Sequence, residues 1–441
     1  MESHRTSKTR HAFPLALHAA GGTLAACLLL AASQATAETV VTGQSDTILR
    51  IGRNSENKFV SPAYEYLRLG IMSTDAKGGM LSANFGGWGR FDPEGRMNDG
   101  NGKFDSDFQY GYISYQAAKN NLVATVGRQF VTEGVASDRL DGIYLRSDIG
   151  SGFAASAYAG NTVVTEPDHK VGSVIFGSRV SHTLPKYYTL GLSALRSSGD
   201  AGATREEFGA DIWLHPAKVV DITGRSTYNL EKSDWMEHTY VVSLIPTDMF
   251  RISADFSRIN YKYYFSDTQT SNVFKFGGGV INPNEELTSV GATVSAALNK
   301  NFTVSADYKH YEYEIADASD YYGGKLTYSK PDSYSAGASV HRMQGSEKRL
   351  RYAEYRMYAS KQIENLSLSL DLMDVHYDQA INDVRDAFTA SAAVGYRVSQ
   401  SLKLAADVDY SSNPDYYNEV RTLVKLTYAF DMKYAAEGRA K

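Results

Sequence analysis

The stretch Val420-Arg421-Thr422-Leu423-Val424-Lys425-Leu426-Thr427-Tyr428-Ala429-Phe430 alternates between two kinds of side chain. Its even-numbered positions are mostly large and apolar, and they end in the aromatic residues Tyr428 and Phe430. Its odd-numbered positions include Arg421, Lys425 and Thr427. Successive side chains of a β-strand point to opposite faces, whereas helical spacing would mix the two sets. The stretch therefore predicts a strand with one apolar face and one polar face.

The same period of two recurs along the chain, in runs of roughly ten residues, which is the length that a tilted strand needs to cross a bilayer. Clear examples are 250–257, 302–309, 366–373 and 388–398. Tight connectors tend to alternate with longer polar ones. The tight connectors are 216–218, 246–248, 299–301, 331–332 and 399–401, and the longer ones are 91–105, 162–172, 264–286 and 411–418. Short turns at one rim and longer loops at the other are typical of outer-membrane barrels.

These patterns predict an all-β fold, a single transmembrane antiparallel β-barrel over residues 38–441 with about 22 strands. The first strand is expected near 46–53, and the number should be even because both chain ends normally lie on one side. Counts of 18 and 20 stay open, since the early segments alternate less cleanly. Tyrosines near predicted strand ends, such as Tyr187, Tyr188, Tyr321 and Tyr322, indicate aromatic girdles. A soluble β-sandwich or β-helix is the alternative, but it requires apolar faces packed on each other.

The first 37 residues have the three parts of a cleaved secretory signal peptide. Basic residues at Arg5, Lys8 and Arg10 precede an apolar stretch, and Ala35-Thr36-Ala37 follows it. A transmembrane anchor is the alternative, although the apolar stretch is short and interrupted. Lipidation at Cys27, the single cysteine, is a further alternative. It is disfavoured because Leu28, Leu29 and Leu30 continue the apolar run beyond that cysteine.

Composition excludes several function classes for the mature chain, 38–441. Removing three basic residues and one acidic residue leaves 45 − 3 = 42 basic and 50 − 1 = 49 acidic residues, a formal charge of −7. This acidic balance argues against nucleic acid as a partner. The absence of cysteine from 38–441 excludes disulfides, thiolate metal sites and covalent haem attachment. No catalytic or metal-binding motif appears in the sequence, so we expect neither an enzyme nor a cofactor or metal site in this chain.

The polar positions of the alternating runs are the candidate pore-lining residues. Basic and acidic side chains nearly balance among them, so no one-sided ring of charge is expected. The candidates are Arg179, Arg225, Arg251, Asp255, Lys309, Arg356, Asp371, Arg397, Lys403, Arg421 and Lys425.

The expected strand number bears on what fills the barrel. Barrels of 22 strands usually hold a plugged lumen, and the sequence has no plug domain before its first strand. We therefore expect something else to fill the lumen. If the true count is lower, the 264–286 segment is the candidate for a loop that folds inward.

The segment Val424-Lys425-Leu426-Thr427-Tyr428-Ala429-Phe430 resembles the terminal strand of outer-membrane barrels, although eleven residues, Asp431–Lys441, follow it. More narrowly, the chain resembles the barrel component of porin–cytochrome electron conduits. The stretches that carry this resemblance are Gly87-Trp88-Gly89-Arg90, Gly127-Arg128-Gln129, Asn284-Glu285-Glu286-Leu287-Thr288 and Asp307-Tyr308-Lys309-His310-Tyr311. The resemblance implies the outer membrane of a Gram-negative bacterium as the location, with outer-membrane lipid and the barrel-assembly machinery as partners. It also implies a multihaem c-type cytochrome in the lumen, with haem only in that partner.

Three functions remain in competition. The first is the sheath of a porin–cytochrome conduit that carries electrons across the outer membrane. The second is a passive diffusion porin for small solutes. The third is a structural or adhesive barrel with a blocked lumen.

Overall fold

The structure is a computed structural model that describes residues 39–54, 57–75, 77–97, 102–163, 171–198, 204–264, 285–331, 333–415 and 418–434. The expected signal peptide, Cys27 and most of the 264–286 segment lie outside these residues. The described chain forms 23 strands, one short helix, α1 (Tyr261–Tyr264), and a 3-10 turn at Lys348–Leu350. The strands are β1 (Thr39–Arg53), β2 (Phe59–Val60), β3 (Ala63–Thr74), β4 (Met80–Phe91), β5 (Phe104–Gln116), β6 (Val123–Glu133), β7 (Ala136–Gly150), β8 (Phe153–Val163), β9 (Val171–Leu184), β10 (Tyr188–Ser198), β11 (Thr204–Ala217), β12 (Val220–Asn229), β13 (Asp234–Leu244), β14 (Phe250–Asn260), β15 (Glu286–Ala297), β16 (Phe302–Tyr313), β17 (Asp317–Lys330), β18 (Tyr334–Gly345), β19 (Arg351–Ile363), β20 (Leu366–Ile381), β21 (Val384–Arg397), β22 (Leu402–Ser412) and β23 (Glu419–Tyr434).

The strands close into one antiparallel barrel. Each wall strand pairs with its neighbours in the chain, and β1 pairs with β3 on one side and with β23 on the other. The two-residue β2 only extends the β1 hairpin through Gly52–Val60 and Arg53–Phe59. Within the described residues, 23 − 1 = 22 strands therefore build the wall. This confirms the expected fold and the expected strand number.

The closing strands are longer than the sequence analysis predicts. β1 begins at Thr39 rather than near 46, and β23 continues past Phe430 to Tyr434. The extra residues are held because β1 and β23 pair through 13 residue pairs, from Thr39–Tyr434 to Ile51–Thr422. Phe430 covers Gly43 on the neighbouring strand, where a Cβ atom would lie 2.3 Å from the ring. The aromatic residue thus packs at the closure of the barrel and does not end the chain's last strand.

One face of the wall is apolar and exposed to the outside. Leu368, Leu370, Val394, Leu404 and Val408 are each more than a third exposed, and they occupy alternate positions on β20–β22. Direct cross-strand partners keep the same face, as in the pair of Leu368 with Val394. The residues between them, such as those of Ser367–Ser369–Asp371, face the lumen. The period of two in the sequence therefore separates an apolar outer surface from a polar inner one.

The two rims of the barrel differ. We call the rim that carries Thr39 and Tyr434 the turn end, and its connectors have two to six residues. The tight connectors expected from the sequence lie there, except that β11 extends through Ala217. The opposite rim, the loop end, holds the long connectors, but it also holds two-residue turns at 134–135 and 382–383. The expected girdle residue Tyr321 faces inward and stacks on His341, with ring centroids 5.0 Å apart.

Candidate functional site in the barrel lumen

The eleven pore-lining candidates lie on the inner face of the wall strands, on β9, β12, β14, β16 and β19–β23. Most of them form ion pairs with inner-face neighbours. The paired contacts are Arg179–Asp211 at 2.6 Å, Arg225–Glu237 at 2.9 Å, Lys309–Asp255 at 2.8 Å, Arg356–Asp371 at 2.9 Å, Arg421–Glu419 at 2.7 Å and Lys425–Asp46 at 3.1 Å. The inner wall is therefore a surface of compensated charge rather than a ring of one sign. Contact of any of these residues with a solute stays a prediction.

Three candidates differ from the rest. Arg251, Arg397 and Lys403 form no ion pair with another described residue, and all three lie close to the turn end. Arg397 and Lys403 are direct cross-strand partners. Two uncompensated cations side by side attract anions to this rim of the lumen.

The hairpin of β6 and β7 leaves the wall and folds into the lumen. Its tip, Gly134-Val135, reaches the middle of β10 and β11. The backbone N–H of Val135 donates to the Ser193 hydroxyl at 3.1 Å, and a Cβ atom on Gly209 would meet Val135 at 2.2 Å. The carboxylate of Glu133 accepts from the Tyr144 hydroxyl of the same hairpin at 2.5 Å, so the tip bends back on its own stem.

Glycines permit this bend. Gly127 has φ = +122°, a backbone conformation that side-chain-bearing residues rarely adopt. Its cross-strand partner Gly142 lies against Gly160 of β8, and a Cβ atom on Gly142 would be 2.1 Å from the carbonyl oxygen of Ala159. A row of three glycines thus lets β6, β7 and β8 approach closely at the level where the hairpin turns inward.

An apolar cluster holds the folded hairpin against the inner wall. Leu140 of β7 and Ile175 of β9 are 0% exposed. The other members of this cluster, which we call the hairpin cluster, are Val131, Ala136, Tyr158 and Leu195. Burial of these apolar side chains stabilises the hairpin in its inward position.

Charged groups surround the hairpin cluster. Arg205 of β11 pairs with Asp138 of the hairpin at 3.0 Å and with Glu207 at 2.5 Å. Arg179 lies 3.9 Å from Glu133 as well as pairing with Asp211. The hairpin is therefore tied to β9 and β11 by ion pairs in addition to apolar contacts.

This hairpin was not predicted from the sequence. An inward loop was expected at 264–286 only if the strand number were lower than 22, and that segment lies almost entirely outside the described residues. The signal was present in the alternation, since Val131, Leu140, Ile175 and Leu195 are large apolar residues on faces that should be polar. A second signal is the pair of glycines Gly127 and Gly142, which are cross-strand partners at the base of the hairpin.

A second apolar patch lines the lumen at the loop end, on β15–β19. Tyr313, Ala316, Met343 and Leu350 are buried together, with Leu287, Tyr311, Tyr321 and Tyr352 packed around them. The carboxylate of Glu285 is 1% exposed and accepts from the backbone N–H of Ile315 at 2.8 Å. It thereby fixes the turn between β16 and β17 against this patch, which we call the tyrosine patch.

Two kinds of feature are absent from the described residues. None of their helices is long and apolar enough to cross a membrane. They contain no group of three or more His, Cys, Asp or Glu side chains arranged to hold a metal ion.

Comparison with known proteins gives structural likeness only. No family model matches this chain, and no curated protein matches it. Among solved structures, the P pilus usher PapC translocation pore is 9% identical with a TM-score of 0.46, covering 89% of this chain and 99% of that one. OccAB4 of Acinetobacter baumannii is 12% identical with a TM-score of 0.42, covering 91% and 100%. A mutant of the ferric enterobactin receptor PfeA from Pseudomonas aeruginosa is 11% identical with a TM-score of 0.49, covering 88% and 80%.

The architecture of this chain rests on its own strand pairing. Over the described residues it is a porin-type fold, a single closed antiparallel barrel of 22 strands with an apolar outer face and a polar, charge-compensated lumen.

Proposed function

We propose that the protein spans the outer membrane of a Gram-negative bacterium as a channel, after export through the signal peptide 1–37. The observation that carries the proposal is the apolar, exposed outer face around a closed wall. Exposed side chains such as Leu370, Val394 and Val408 form an outer surface that hydrocarbon would cover. A closed barrel also leaves no strand edge unpaired at its β1–β23 junction, as spanning a bilayer requires.

The strand number sets the width of this channel. Strands about 4.8 Å apart and tilted by about 40° give a barrel of 22 strands a backbone diameter of about 40 Å. Side chains reduce the free width all around the wall, and among the described residues the folded hairpin takes up only the sector of β6–β11. The lumen is therefore wide enough for a small folded protein.

We further propose that the lumen serves as the sheath of an electron conduit, with a multihaem c-type cytochrome as its guest. The width supports this role, and the tyrosine patch offers an apolar surface on which a guest protein can pack. The barrel itself contributes no haem ligation through cysteine, since 38–441 contain none. The barrel-assembly machinery is the expected partner during insertion.

A passive diffusion pore is the second candidate, and the folded hairpin favours it. A hairpin that projects from the wall at mid-height of the lumen narrows the path of a small solute. A sheath around a guest protein does not need such a constriction. In this alternative the unpaired cations Arg251, Arg397 and Lys403 would concentrate anionic solutes at the turn end.

One experiment separates these roles. The protein is isolated from its native membrane and stained for haem, and it is then reconstituted alone in planar bilayers. The conduit role predicts co-isolation with a haem protein and a large, unstable conductance after that partner is removed. Isolation without haem, together with steady anion-preferring currents, would support the diffusion pore instead. Absence of both haem and conductance would contradict the channel proposal altogether.

A further inference from the structure

Where the hairpin of β6 and β7 turns inward, the wall loses a backbone ladder. β5 and β6 pair through six residue pairs, from Gly111–Arg128 to Gln116–Val123. The other neighbouring wall strands pair over between eight and thirteen positions in the described residues. Above Gly111, β5 continues for seven residues, of which six pair with β4 and none with β6. We call this gap, between residues 104–110 of β5 and the hairpin, the seam.

Side chains bridge the seam in place of the ladder. Arg128 donates to the carbonyl oxygen of Phe108 at 2.9 Å, and Arg139 pairs with Asp107 at 2.7 Å. The carbonyl oxygen of Gln109 also accepts from Arg139, at 3.5 Å. Long arginine side chains thus satisfy carbonyl groups that a neighbouring strand would otherwise satisfy. Such bridges can open by rotamer change, whereas a ladder cannot.

The seam lies at the level of the hydrocarbon. Six residue pairs at about 3.3 Å each, on strands tilted by about 40°, rise about 15 Å from the turn end, roughly half the thickness of a hydrocarbon core. The outer face of β4 and β5 stays apolar above that height, through Phe85 and Phe108, to the ring pair Phe91–Phe104 with centroids 4.9 Å apart. We place the turn end in the periplasm, where the short turns of outer-membrane barrels lie, and the seam then opens toward the outer half of the bilayer.

Apolar rings stand on both sides of the seam. Phe85 and Phe108 lie on the wall with ring centroids 5.0 Å apart, and the guanidinium of Arg128 is over the Phe108 ring at 5.2 Å. On the hairpin, Phe130 and its cross-strand partner Arg139 lie on the same face, and this face is turned toward β5. The Phe130 side chain is 67% exposed. A large apolar side chain so exposed beside a charged lumen suits contact with an apolar ligand.

Charge at the seam cancels. Arg128 also pairs with Asp141 at 2.7 Å, so two arginines meet two aspartates. A ligand with a net charge gains no net electrostatic attraction from this arrangement. A neutral molecule with an apolar chain is not repelled by it.

We propose that the seam is a lateral portal, which admits the apolar chain of a neutral amphiphile between the outer half of the bilayer and the lumen. The proposal rests on the membrane placement proposed above. It adds a second route to the axial one, and it gives the folded hairpin a role in forming that route.

The test uses cysteine variants of the full chain carrying a small fluorophore, reconstituted in vesicles. The variants are Phe130→Cys at the portal, Leu370→Cys on the outer face and Ser369→Cys on the inner face. The probe is a long-chain alcohol with a terminal bromine, which quenches on contact, and iodide serves as the aqueous quencher. We expect saturable quenching by the alcohol at Phe130→Cys, non-saturable quenching at Leu370→Cys, and quenching by iodide alone at Ser369→Cys.

The variant Arg139→Gln removes one bridge. We expect it to increase quenching of the Phe130→Cys label at low alcohol concentration by about tenfold or more, as for one lost hydrogen bond to a charged group. Arg251→Gln, on the opposite part of the lumen, should leave that quenching unchanged. If the label at Phe130→Cys responds to iodide only, while that at Leu370→Cys responds to the alcohol, the portal is wrong and the membrane placement stands. If neither label responds to the alcohol, both proposals fail.

Discussion

Replacing Leu140 by alanine tests whether the hairpin cluster holds the folded hairpin in place. Leu140 is 0% exposed and packs with Val131, Ala136 and Ile175 inside the barrel. The change removes three carbon atoms, about 2.4 kcal/mol at about 0.8 kcal/mol each, and leaves a cavity that adds to the loss. We expect a decrease of about 2.5–5 kcal/mol in the free energy of unfolding.

Leu145→Ala is the matched control, because the same substitution is made on the same strand. Leu145 is 47% exposed on the outer face, which hydrocarbon covers in the vesicle, so its three carbon atoms lose their transfer from water but no enclosed cavity forms. We expect a loss of about 2.4 kcal/mol. Leu140→Ala should be the more costly change by the cavity contribution, up to about 2.5 kcal/mol.

The assay is equilibrium refolding from urea into lipid vesicles, read by the shift in electrophoretic mobility between folded and heated protein. Single-channel recordings of the folded Leu140→Ala variant give a second measurement, and we expect noisier currents because the hairpin is less firmly held. Equal costs for the two variants, or a larger cost for Leu145→Ala, would refute the reasoning that the hairpin is packed against the inner wall.

Three further predictions follow from single positions. Arginine at Leu370 should cost about 2–4 kcal/mol because that position faces hydrocarbon, whereas arginine at the adjacent Ser369 should be tolerated; the same refolding assay measures both. Gly127→Ala should prevent the inward turn of the hairpin, since its φ is +122° and a Cβ atom would lie 2.3 Å from the Gly111 carbonyl oxygen; a folded yield equal to that of the unmodified chain would contradict this. At the loop end, burial raises the pKa of Asp92, but the backbone N–H groups of Met97 and Arg96 lower the pKa by more, so it lies below its usual range. The stability from Asp92 is then present above the ordinary carboxyl pKa and is lost as pH falls through the lowered value. Hydrogen exchange of the 92–97 segment should accelerate at that pH, and Asp92→Asn should abolish the acid-dependent step.

The regular wall could be predicted from sequence because one physical rule governs it. Each residue such as Leu368 or Ser369 faces outward or inward according to its parity, so the alternation predicts the strands and their two faces. The position of β1 was less clear, since Gly43, Ser45 and Thr47 interrupt its apolar face, and the strand is completed by pairing with β23 across the chain's two ends. No local pattern contains that long-range pairing.

The inner structure could not be derived in the same way. The direction of the β6–β7 hairpin depends on the positive φ of Gly127 and on contacts with β9–β11, more than forty residues further along the chain, as in the bond from Val135 to Ser193. Alternation places Val131 and Leu140 on the inner face. It does not show that the hairpin folds inward and buries them against the inner wall. Ion-pair partners such as Lys309 and Asp255, which reach across an intervening strand, likewise depend on the curvature of the closed wall.

The central claim is that alternate side chains of the wall face hydrocarbon and a water-filled lumen. The direct measurement is a cysteine scan of residues 366–371 on β20, with each variant reconstituted in vesicles and treated with a membrane-impermeant maleimide. The single natural cysteine, Cys27, lies in the expected signal peptide and does not interfere once that peptide is removed. We predict rapid labelling at positions 367, 369 and 371 and protection at 366, 368 and 370. Uniform labelling, or protection with a period near 3.6 residues, would contradict the barrel and everything inferred from it.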